Sequence, residues 1–172
     1  APIDEPAPPI PMFTDDAVFK AGKKGCFQIV ALLNSLQQLP VVMENVKSIT
    51  PLVGDGVILD TAETTYLVHD QIGSVSKEAS PYLDSMQDKT TCVRVLDAEE
   101  YTAAGVTEAA IATNFTRPAP LYYKPNRIKR DLGADIRYVI VRWDRIVFAS
   151  CRNVMELQQA VSLIEDCLNG SA

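Results

Sequence analysis

The stretch IRYVIVRWDRIVFASC, residues 136–151, constrains the fold more than any other part of this chain. Nine of its sixteen residues are β-branched or aromatic and none is glycine or proline. Such a run suits a pleated surface and resists a helix. It reads as one long strand, or as two strands turning near Trp143 and Asp144. A helix must follow directly. Asn153 is its cap, and Glu156 three residues on completes a capping box. Val154, Leu157, Val161, Ile164 and Leu168 form one stripe, and Gly170 is the terminator.

Upstream, the apolar spacing predicts helices. Thr14 caps a first one, with Asp15 and Asp16 in its first turn. Cys26, Ile29, Val30, Leu33 and Leu36 form a second stripe, and Pro40 stops that helix and opens the next. Val42, Val46, Ile49 and Val53 then repeat at helical spacing, as do Val68, Ile72, Val75 and Ala79 after the GDG turn at 54–56. Ser80-Pro81 starts a short helix running to Asp88. TTCVRVL, 90–96, reads as a strand, Asp97 and Thr107 cap short helices, and 116–126 is a proline-rich loop or edge segment. The expected class is α+β: a helical bundle-like N-terminal part, about 14–88, packed with a small strand-containing part that ends in an amphipathic helix. Residues 1–12 hold five prolines and form an extended arm, and 13–172 form a single globular domain.

The four cysteines, Cys26, Cys92, Cys151 and Cys167, lie 66, 59 and 16 residues apart. That spacing contains neither a Cys-x-x-Cys pair nor a zinc-ligand pattern, so it reads as two disulfides. Cys151 and Cys167 would sit at opposite ends of the last helix, beyond disulfide reach. The favoured pairing is Cys26 with Cys167 and Cys92 with Cys151; Cys26 with Cys151 and Cys92 with Cys167 is the alternative. Each bridge would contribute about 4 kcal/mol on the chain-entropy view. Together with the sequons at Asn114 and Asn169, and an N-terminus that reads as the product of signal removal, this points to a secreted protein or one in an oxidising organelle lumen.

Catalytic patterns are sparse. Gly25-Cys26-Phe27 ahead of an apolar helical stripe resembles in outline the nucleophile segment of papain-like cysteine peptidases, which implies a thiolate at a helix N-terminus and a histidine base. The only histidine is His69, inside an apolar helical pattern beside Val68 and Ile72. Cys26 is therefore expected to be a staple. A serine triad lacks a separate base for the same reason. GDGVILD has Leu59 where a dinucleotide fingerprint needs its third glycine, and there is neither a Walker loop nor an EF-hand loop. No cofactor or metal is expected, and no apolar run approaches the length of a membrane span.

Charge divides the chain unevenly. Residues 117–152 carry nine basic and three acidic residues, a net of +6, so the remainder carries −12 of the overall −6. The two parts either attract one another or offer a basic face to an anionic partner. The overall sign argues against non-specific nucleic-acid binding. These features favour a non-enzymatic interaction protein, an accessory subunit or effector-like chain, that meets a macromolecular partner. Its contacts would be Pro8, Pro9 and Pro11 of the arm and the basic Pro/Tyr segment with Tyr122, Tyr123, Lys124, Arg127, Lys129 and Arg130. The alternatives are a binding protein for an apolar small molecule, with a cavity between helices, and an enzyme of unread type, including a cysteine-dependent hydrolase.

Overall fold

The computed structural model describes residues 14–69, 80–95, 124, 126–168 and 170. Its centre is strand β1, Phe27–Leu33, in which six of seven residues are buried. The stripe from Cys26 to Leu36 is thus not a helix, and the bundle-like N-terminal part is replaced by one five-stranded mixed sheet. FQIVALL is apolar at every position but one, and such a run fits a doubly covered strand as well as a buried helix. The fold resolves the ambiguity: neighbouring strands pair both edges of β1 and helices cover both its faces.

On one side of β1 lies β2, Thr65–Val68, parallel to it and followed by β3, Thr91–Arg94, also parallel. On the other lie β4, Tyr138–Arg142, and β5, Val147–Cys151, both joined in antiparallel fashion. The order is β3-β2-β1-β4-β5, so β5 is an edge among the described residues. The strongest β stretch therefore forms a hairpin. Its turn takes Arg145 into the left-handed region at φ 67°, and the Trp143 N–H donates to the Cys26 carbonyl at 2.8 Å.

Helices cover both faces. Ile29, Ala31 and Leu33 pack with Leu39 and Val46 of α2, Leu39–Ser48, and with Leu157, Val161 and Ile164 of the C-terminal helix. Val30 and Leu32 pack with Val18 of α1, Thr14–Val18, and with Ile128 and Leu132 of α4, Arg127–Leu132. Pro40 opens α2 as expected, and Val46, Ile49 and Val53 reach the core, although a 3-10 turn replaces the helix after Ile49. Val68 ends β2, which overturns the helix expected to begin there; Ile72, Val75 and Ala79 lie outside the described residues. α3 is Ser80–Asp84, shorter than the helix expected to reach Asp88.

The C-terminal helix α5, Val154–Leu168, matches its sequence signals. Asn153 Oδ1 accepts from the Glu156 N–H at 3.0 Å. Glu156 reaches back one residue further than a standard capping box, accepting from the Arg152 N–H at 2.7 Å. Gly170 takes φ 68°, which suits a chain leaving a helix. Among the described residues no helix is long and apolar enough to cross a membrane.

The disulfide framework is absent, because all four cysteines are free and none lies at disulfide distance from another. Cys92 and Cys151 sit on the two edge strands, four strand spacings or ~19 Å apart. Burial pushes both thiols up to about 11, helped at Cys151 by the Glu156 charge, so they remain protonated core residues. Cys26 and Cys167 are exposed. Free thiols remove the redox argument that placed the chain in an oxidising compartment.

Candidate interaction surface

The two ends of the parallel strands differ in polar chemistry. At the amino ends Glu63 is only 2% exposed, and its carboxylate accepts from the N–H groups of Lys24 and Gly25 and from Gln28 Nε2 at 2.8–2.9 Å. Burial alone would raise its pKa, but these donors and the Lys89 charge reverse the sign and hold the carboxyl below its ordinary value. A β-carbon on Gly25 would stand 3.0 Å from the Phe27 carbonyl and 3.1 Å from the Glu63 carboxylate, which explains the glycine. Beside it burial lowers Lys23 to about 8, and its amine donates to Thr65 Oγ1 at 2.7 Å and the Ala17 carbonyl at 3.1 Å. The cluster anchors the approach to β1.

At the carboxyl ends the His69 N–H donates to the Leu33 carbonyl at 2.9 Å, and Lys129 of α4 donates to Asn34 Oδ1. Both ring nitrogens of His69 are buried without a hydrogen bond of good geometry. Burial, and then the Lys129 charge, pull its pKa down, so the ring is neutral near pH 7. Cys26 precedes β1 whereas His69 follows β2, which puts about 20 Å of strand between them. Cys26 also heads a strand and not a helix, so the peptidase-like arrangement loses both the helix N-terminus behind its thiol and a base within reach.

The basic segment forms the outer face of α4. Arg127 and Arg130 both bridge to Asp131, at 3.4 and 2.9 Å, so the two arginines share one carboxylate and the helix stays net positive. Arg142 pairs with Asp144 at 2.7 Å, Arg152 with Glu156 at 2.7 Å, and Arg145 reaches Asp15 of α1 at 3.5 Å. The two oppositely charged parts of the chain touch at that last pair. Lys124 is exposed; Pro8, Pro9, Pro11, Tyr122 and Tyr123 lie outside the described residues.

A different region is unusually apolar. Of the ten large hydrophobic residues exposed among those described, seven fall between Trp143 and Leu168, on the β4–β5 hairpin and α5. Trp143 at the turn is 69% exposed, Ile146 and Val147 follow it, and Phe148 covers the Phe27 ring edge-on at 5.3 Å. α5 returns along β5 and turns Met155 and Leu163 outward, 66% and 54% exposed, while Leu157, Val161 and Ile164 fill the core. Leu52 joins Met155 and Leu163 in a groove of about 520 Å³ whose remaining lining is Gln158, Gln159, Ser162 and Asp166. Leu168, placed on the core stripe by its spacing, is exposed.

Of this surface the sequence marks Trp143, as the place where the hairpin turns, and Leu168, as a core position. The outward apolar positions on α5 were legible as apolar residues lying off the core stripe, but the edge position of β5 follows from strand order alone. A second, open concavity of about 340 Å³ lies beside α2 and α3, with Met43, Tyr66, Tyr82 and Met86 in its walls. Among the described residues no cluster could hold a metal ion. No protein-family model, curated protein or solved structure matches this chain.

Proposed function

We propose that this chain is a binding protein that works by docking a macromolecular partner against the β4–β5 hairpin and the outer face of α5. The observation that supports this reading is the concentration of exposed apolar side chains there, from Trp143 to Leu163, beside a strand edge that no described residue pairs. Single exposed hydrophobics are ordinary, whereas a patch of this kind marks an interaction site. Aromatic residues and methionine, both present here, are enriched at interfaces. The basic residues Arg127, Lys129 and Arg130 of α4 remain a proposed secondary contact; the ion pairs of the two arginines to Asp131 favour a weak, salt-sensitive role.

The test is site-specific photo-crosslinking in the chain's native setting, with the reactive group at Leu163 in one preparation and at Arg130 in another. Adducts from Leu163 are expected. Adducts confined to Arg130, or none from Leu163, would contradict the reading.

A further inference from the structure

The structure also bears on what covers this flank. Building on the binding reading, we infer that the occupant is a second copy of this chain, with β5 pairing antiparallel to its counterpart so that two five-stranded sheets continue into one. Sheet order leaves β5 at the edge, and VFASC has neither a charge nor a proline nor a glycine. Charges and prolines are the usual devices that keep an edge from pairing with another chain. Antiparallel pairing of a strand with itself is the arrangement a two-fold axis generates, in which one patch completes itself. The bulge between Ile140 and Val141 lies toward the turn and leaves Ala149 to Cys151 in regular pairing.

The helix supports the same axis. α5 packs on the sheet face next to β5 and carries the groove on its outer side, so a two-fold pairing of the β5 edges sets the two helices and their grooves side by side. Apart from Asp166 that groove is lined by uncharged residues, which gives a charged partner little to recognise and lets like meet like. The exposed fractions of Trp143, Ile146, Val147, Phe148, Met155, Leu163, Leu168 and Leu52 amount to roughly 900 Å² per chain, against the ~800 Å² per partner that a standard interface buries. Each chain carries a net charge of −6, so the copies repel at long range and added salt should tighten the pair.

Sedimentation velocity on the full chain, from about 1 µM to about 100 µM, tests this directly. The expected result is a monomer-to-dimer shift that strengthens with salt. Val147→Lys and Leu163→Lys should each weaken the dimer at least about tenfold while leaving the thermal midpoint nearly unchanged, since both side chains are exposed. A monomer at every concentration, an open-ended series of larger species, or a dimer indifferent to both variants would overturn the inference. A monomer whose Leu163 photo-crosslinks to a different protein overturns the second copy and keeps the binding reading. A monomer without such adducts removes both.

Discussion

Two helices on opposite faces of one sheet, α4 and α5, present opposite outer surfaces. α4 buries Ile128 and Leu132 inward and meets water with Arg127, Arg130 and Asp131, paired among themselves. α5 buries Leu157, Val161 and Ile164 fully, where Ile128 and Leu132 are half-buried, but it meets water with Met155, Leu163, Gln158 and Gln159. Both inner faces follow from the need to cover a sheet. Of the two, only α5 has an apolar outer face that folding does not explain, and that surplus of apolar surface is where the proposed interface lies, whereas α4 keeps a net positive outer face on which two arginines share one aspartate.

The largest expected effect separates the two faces of α5. Leu157→Ala removes a side chain that is fully buried and should cost about 3.5 kcal/mol in chemical unfolding, whereas Leu163→Ser should cost under about 0.5 kcal/mol. Comparable losses would mean that Leu163 belongs to the core and would break the contrast. Next in size is the anchor of β1. Glu63→Gln, which leaves several buried donors without a charged acceptor, should cost about 3 kcal/mol at pH 7.

The Glu63 carboxyl is held below its ordinary value of 4.5 in the folded chain. The stability it supplies is therefore complete above that value and disappears as pH falls through the depressed one. Unfolding profiles of the wild type should steepen on the acid side, and those of Glu63→Gln should be flatter. Asn153→Ala, which removes the cap of α5, should cost about 1 kcal/mol by the same assay. The smallest effect sharpens the comparison from the other side: Asp131→Asn on α4 should leave both the thermal midpoint and the sedimentation behaviour where they are.

The parts of this fold that were legible in the sequence are those with local punctuation. The hairpin, β3, the Pro40 start of α2 and the capped α5 all carry turn or cap residues that act within a few positions. β1 and β2 read as helix because FQIVALL and TYLV each hold one polar residue and are otherwise apolar, and a strand covered on both faces loses the alternation that marks a half-buried one. Gly25 before β1, and Asn34 with Ser35 after it, were the available signs of a short strand. The cysteines misled because their number and spacing fit a disulfide framework, while strand order, which separates Cys92 from Cys151, is a long-range property. The interface was half legible for the same reason: Met155 and Leu163 lie off the core stripe in plain view, yet nothing local marks β5 as the edge.

Hydrogen exchange of the backbone amides, read by mass spectrometry at low and high protein concentration, tests the central claim most directly. The account predicts that peptides covering β5 and the outer face of α5 gain protection as concentration rises, while those covering α4 do not change. Exchange in β5 that is the same at every concentration, or protection that appears on α4 instead, would contradict it.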